Sequence, residues 1–394
     1  MASLFDQFRS AYGVGDADDR VEVDLGAGTT ALSRSTRVLD LRPGPQGIVP
    51  ADGPVRWEAL DELPHLLTVK WAGPPRGIVE AVASHPGVQF LYWSDAQGDV
   101  DLSATHLGSI RLDGPELRSV RLPSSVRQLS LGRVPAEFGP NPRIAMVSHT
   151  LEVDAPEHGH GLDLRLFHFG ADIVIPEGVR RASDLWLWVG GQLSATVLAG
   201  MSDLEALRIT FDRAPGEFND LAELRRHDTL RRLELGDAYG LSVGDVPDLP
   251  ALESIELHGT RRAIAAAAKA RYRGGSVKLR VSGTKSDTWL AVHMDNPFRD
   301  WVHDSKPFGA AACSAYNRAQ QAAGEIIAAE LTEEGAAERV LRGLVDDLNA
   351  INDKYGMIDT MRREQAWDTY LQLAHLLDVP IDQADQWFDD QRTW

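Results

Sequence analysis

The sequence is poor in cysteine, with Cys313 alone among 394 residues. A single thiol cannot close an internal disulfide, so a reducing compartment, the cytoplasm, is the expected location. Long apolar runs are missing as well. The longest, such as Ala263–Ala268, fall far below the roughly 18 residues of a membrane span, so no membrane partner is expected. The start, MASLFDQFRSAYGVGDADD, has no basic segment followed by an apolar one, and no signal peptide is expected. Positive charge is scarce: 40 basic against 58 acidic side chains give a net charge of −18. That argues against tracking phosphate backbones, and no nucleic-acid partner is expected. There is no Walker loop, G-x-S-x-G elbow, H-E-x-x-H or paired C-x-x-C, so neither cofactor nor metal is expected. The glycine pairs Gly13/Gly15 and Gly26/Gly28 lack a strand–helix dinucleotide frame and read as turns.

What is present is an internal repeat. From about residue 60 an aliphatic returns after three positions and again after two, as in VRQLSL (126–131), LEALRI (204–209), LRRLEL (230–235) and LESIEL (252–257). The central aliphatics are Val69, Leu91, Ile110, Leu129, Val147, Leu164, Leu185, Leu207, Leu233 and Ile255, at steps of 17 to 26 residues. Period-two alternation reads as a short strand with one buried face. A strand recurring about every 20 residues makes each repeat a strand, a turn and a return, and no such coil buries its apolar face alone. The copy at RIAMVSH (143–149) is weak, and LRSVRL (117–122) is an extra half-copy expected on the return side. Prolines in the early returns predict extended segments there; GEFNDLAELRRHD (216–228) predicts helical returns later.

The L-x-x-L-x-L frame over about residues 58–260 resembles the leucine-rich repeat, without the usual Asn or Cys after the strand. Glycines stand near that place instead, at 73, 114, 132, 190, 236 and 259. Another parallel β-solenoid fits the same spacing. The resemblance implies an α+β repeat fold: a leucine-rich-repeat-like solenoid with parallel strands on its concave face, mixed extended and helical returns, and a small all-α domain after it. The expected organisation is a β-rich cap (1–57), the solenoid (58–260), a cap and junction (261–308) and an acidic helical domain (309–394). Within the junction, SVKLRVSG and TWLAVHM are both expected to be strands. Residues 305–394 hold 16 acidic and 8 basic side chains in four expected helices. As a whole this last region resembles the tail of certain bacterial leucine-rich-repeat proteins loosely labelled gliding-motility-like, a label that names no reaction.

Residues between the buried aliphatics point outward and align across coils. The central row should read Lys70, Tyr92, Arg111, Ser130, Ser148, Arg165, Trp186, Arg208, Glu234 and Glu256, flanked by Phe167, Trp188, Thr210 and His258. Tyr, Trp and Arg are the types enriched at binding hot spots. The candidate partner-binding residues are therefore Tyr92, Arg111, Arg165, Phe167, Trp186, Trp188 and Arg208; cross-strand packing is the competing account of the aromatics. Glu157, His158 and His160 form a weak metal motif better read as a polar loop. His293, Asp295, His303 and Asp304 read as a packed junction, and Cys313 as a small buried residue. Asp346, Asp347, Asp353, Asp359, Arg362, Arg363, Glu364 and Asp368 read as solvated helix surface.

The expected function is a non-enzymatic protein–protein interaction scaffold using the concave face. One alternative is an enzyme, with its active site at the junction or in the helical domain. It requires Asp346, Asp347, Asp359, Glu364 and Asp368, or His293 and His303, to gather in one cleft. Another is an immunity or antitoxin-type binder of a basic protein. The sequence names neither the partner nor the oligomeric state.

Overall fold

The computed structural model describes residues 20–41, 48–132, 151–168, 173–213, 215–246, 248–294, 296–328 and 335–394. They form two compact units that divide between Thr284 and Lys285. The strands in chain order are β1 (Arg20–Asp24), β2 (Thr29–Ser33), β3 (Val38–Leu41), β4 (Thr68–Ala72), β5 (Phe90–Ser94), β6 (Gly98–Asp101), β7 (Ser109–Leu112), β8 (Leu117–Arg121) and β9 (Gln128–Leu131). There follow β10 (Glu152–Asp154), β11 (Asp163–His168), β12 (Asp184–Val189), β13 (Gln192–Ser194), β14 (Ala206–Phe211), β15 (Glu217–Asn219), β16 (Arg232–Gly236), β17 (Ser254–His258) and β18 (Lys278–Ser282). Helices are α1 (Ile78–Ser84), α2 (Arg262–Arg271), α3 (Asp287–His293), α4 (Lys306–Ala328), α5 (Ala336–Tyr355), α6 (Thr360–Leu376) and α7 (Ile381–Gln391).

The first unit is built on one eleven-stranded sheet, in the order β3-β4-β5-β7-β9-β11-β12-β14-β16-β17-β18, with every neighbouring pair parallel. Two-residue alternation sends one set of side chains inward. Val69, Leu91, Ile110, Leu129, Leu164 and Ile255 are each fully buried, and they align in register from strand to strand. Trp71 and Trp93 take aliphatic positions in this interior. Their indole N–H groups donate to the carbonyls of Pro74 and Gly73, each at 2.8 Å, so the larger rings enter without an unpaired donor. Parallel neighbours require the chain to cross back each time. The crossings form a second layer, where β6, β8 and β10 make a parallel sheet and β13 pairs with β15.

Several expectations were refined by these pairings. The half-copy LRSVRL is β8, in the second layer, with Leu117, Val120 and Leu122 buried. The weak copy at RIAMVSH, with Val147 and Ser148, lies outside the described residues. β9 pairs directly with β11, setting Leu129 against Leu164 and Ser130 against Arg165. The order of returns also differs from expectation, since α1, in the early return between β4 and β5, is already helical. In the later return, Leu221–Arg226 is a short 3-10 helix, the form suited to a brief crossing. The sheet reaches further at both ends than the repeat pattern did, through β3 and β18. Some of the glycines that follow strands have a backbone reason. Gly132 adopts φ of 90°, and a Cβ there would meet the Phe167 carbonyl oxygen at 2.4 Å.

The second unit is helical. TWLAVHM, expected as a strand, is α3 instead: Ser286 caps it by accepting a hydrogen bond from the Trp289 N–H at 3.2 Å, and this cap overrides the local alternation. The boundary at 284/285 thus divides the expected cap and junction. Ile264 and Ala268 of α2 join the interior of the sheet unit, whereas Phe298 and Trp301 join that of the helices. Asp359 caps α6 through the Arg362 N–H. The buried stripe of α6 is Ala366, Tyr370 and Leu373, and Met361 and Leu376 are 63% and 52% exposed. Small Ala366 lets neighbours approach, and Tyr370 stacks on Trp367 and packs at a tilt against Phe388, which turns that stripe inward. Burial pushes the Cys313 thiol up to about 12, so it is an inert core side chain.

Candidate binding surface

Three outward rows cross the main sheet. The central one, set by the strand register, reads Asp40, Lys70, Tyr92, Arg111, Ser130, Arg165, Trp186, Arg208, Glu234, Glu256 and Arg280. Arg165, Trp186 and Arg208 therefore stand side by side on β11, β12 and β14. The guanidinium carbons of Arg165 and Arg208 lie 5.4 Å and 5.1 Å from the centre of the Trp186 ring. Contacts of this kind at solvent-exposed sites are worth about 0.5–1 kcal/mol each. The Trp186 indole N–H donates to the Thr210 hydroxyl at 3.4 Å, and Trp188 stacks on Trp186 with centroids 6.1 Å apart. Arg111 and Tyr92 share the row but sit two and three strands from Arg165.

Phe167 needs correction as an exposed contact. It is 5% exposed, edge-on to Trp186 at 5.8 Å and tilted against Trp188 at 6.2 Å. Its outward position is roofed by the larger indoles of the next strand, so it supports the surface and does not present it.

The first outward position of each strand was overlooked, although the same alternation marks it. It supplies Asp163, Asp184 and Arg232. Each carries an ion pair: Asp163 with Arg165 at 2.7 Å, and Asp184 with Arg232 at 2.9 Å. Glu234 pairs with Arg208 at 2.6 Å. Further along, Glu256 meets Arg280 and His258, each at 3.2 Å, and His258 bonds the Ser282 hydroxyl at 2.7 Å. The first and central rows line an open groove of about 320 Å³ across β11, β12, β14, β16 and β17. Its charges are matched internally, which gives it no strong preference for an anion or a cation.

The other chemical candidates do not gather. His158 sits in a turn with positive φ, whereas His160 bonds Asp203 at 2.9 Å. Ser202, His160 and Arg181 hold the Asp203 carboxyl down to about 2. Among the described residues no group of three or more His, Cys, Asp or Glu is placed to hold a metal ion. His293 stacks on Trp289, His303 lies near Asp300 and Asp304 pairs with Arg362; Asp295 is outside the described residues. Asp347 pairs with Arg318, Asp346 bonds Gln391 and Asp359 caps α6. Burial, with Glu364 nearby, raises Asp368 above the ordinary carboxyl range, but no third acid joins them. Among the described residues no helix is long and apolar enough to cross a membrane.

No family model matches the chain, and no curated protein matches it. Among solved structures, a chain from the crystal structure of the LRIM1/APL1C complex is similar at 15% identity and a TM-score of 0.30, over 90% of this chain and 68% of that one. A score of 0.30 is too low to transfer a function.

Proposed function

We propose that the parallel stack is a leucine-rich-repeat-like solenoid that serves as a protein-interaction scaffold, with a partner seated on the outer sheet face around Trp186. The observation that carries this is the alignment of Arg165, Trp186 and Arg208 on adjacent strands at the groove. A half-buried tryptophan held between two guanidinium groups is a rigid, amphipathic anchor that costs little side-chain entropy on binding. Tyr92, Arg111 and Trp188 extend the same face, with Phe167 packed beneath. The scattering of acids and histidines in the helical unit favours binding over catalysis. Ion pairs already made within the groove favour a partner that reads shape and aromatic surface over one that reads net charge.

The test is capture of an interacting protein from the native cell, identified by mass, with wild-type and Trp186→Ala/Arg208→Ala proteins as bait. The double variant should keep its circular dichroism spectrum and lose the partner. Unchanged capture sinks the proposal. The immunity-type reading predicts instead a basic partner released above about 0.5 M salt, where screening lengths shrink to a few ångströms.

A further inference from the structure

The last coil differs from the rest of the molecule in charge. Residues 261–285 contain eight basic side chains and no acidic one, in a chain whose net charge is −18. Arg262, Lys269, Arg273 and Lys278 are exposed and make no ion pair among the described residues. Arg280 reaches Glu256, and Arg271 reaches Asp248 at 2.5 Å.

This coil also ends the sheet. Among the described residues β18 has β17 as its one strand neighbour. The Lys278 N–H donates to the Glu253 carbonyl at 2.8 Å, and the Ser282 carbonyl accepts from the Gly259 N–H at 3.0 Å. Backbone groups alternate sides along a strand, so the N–H and C=O of Leu279 and Val281 face away from β17. The side chains of Leu279 and Val281 are half-buried, whereas their counterparts Ile255 and Leu257 are 0% and 3% exposed. The inner rows are therefore open at this end, beside main-chain donors and acceptors that have no backbone partner among the described residues.

We propose that the free edge of β18 binds an extended acidic segment of a partner protein as a further strand of the sheet. Such a strand would place apolar side chains over Leu279 and Val281 and acidic ones beside Lys278 and Arg280, which calls for an acidic–apolar alternation. A second copy of this chain fits the edge poorly. Antiparallel pairing of two β18 strands about their centres would set Arg280 against Arg280, and like charges directly opposite are destabilising. A nucleic acid would use the charge but neither the open main-chain edge nor the open apolar row.

The probe is a fluorescent Glu-Val alternating peptide of about ten residues, titrated into the full chain by anisotropy. Saturable binding is expected. A Lys-Val peptide, and a Glu-Val peptide N-methylated at every second amide, should each bind at least about tenfold more weakly. Val281→Pro removes an outward N–H and no donor of the β17 ladder, and should weaken binding at least about tenfold, while Val281→Thr should not. If Val281→Pro does not fold, the N-methylated peptide decides. Absence of saturable binding, equal binding of the N-methylated peptide, or equally tight binding of a single-stranded oligonucleotide would overturn the proposal. Self-association abolished by Val281→Pro would also overturn it, by assigning the edge to a second copy.

Discussion

The middle of the sheet and its last coil both turn basic side chains outward, and they do different things with them. Across β11 to β16, Arg165, Arg208 and Arg232 each meet a carboxylate within 2.9 Å. In the last coil, Arg262, Lys269, Arg273 and Lys278 meet none among the described residues. Exposed ion pairs contribute only about 0–1 kcal/mol each, so the pairs in the middle matter mainly for where they hold the guanidinium groups beside Trp186. At the end the charge is only partly cancelled, and its field reaches about one Debye length, about 8–10 Å, into solvent. One region is an organised surface and the other an attractive edge.

The largest effect that separates them is packing. Leu187→Ala opens a cavity in a fully enclosed row and should cost about 2–5 kcal/mol in urea unfolding. Leu279→Ala, at the half-open end, should cost less than about 1.5 kcal/mol. Equal losses would break the comparison, since they would mean that the last coil is as enclosed as the middle. Salt is the next discriminator. Raising it from about 50 to about 500 mM should weaken acidic-peptide binding at β18 by about tenfold or more, while Trp186-dependent capture changes by less than about threefold. A salt-sensitive Trp186 site would show that the internal ion pairs open when a partner binds.

The smallest expected effect is a pH term confined to the sheet unit. Burial lowers the His227 imidazole below its ordinary value, and its Nδ1 bonds the Met201 carbonyl at 3.0 Å. The folded state therefore takes up the proton later than the unfolded chain. Stability should fall as pH drops from about 6.5 towards the lowered folded value, and be unaffected by this group above that window. In His227→Gln that slope should flatten when unfolding is followed by urea at pH 5 to 7.5. An unchanged slope would place its origin in another group.

Much of the stack was legible because burial leaves a period in the sequence. Leu207, Leu233 and Ile255 announce their strands by spacing alone, and their outward neighbours follow from alternation. Pairing across coils was less legible. Nothing local in RIAMVSH reveals that β9 and β11 pair without a strand between them. Nor does Phe167 differ, in one dimension, from an exposed aromatic; the indoles of β12 cover it. TWLAVHM was misread because a seven-residue alternation is weak evidence beside a serine cap. Met361 and Leu376 are apolar yet exposed, because the face of α6 that packs is set by Ala366, Tyr370 and Leu373.

By itself the sequence determined the repeating strand, the two kinds of side-chain row and the acidic helical segment, since each depends on short-range periodicity or composition. The tertiary structure decided which coils are neighbours, which arginines are neutralised and which edge stays open. Those properties depend on contacts between residues about 20 to 50 positions apart, where loop length and register, not local propensity, choose the partner.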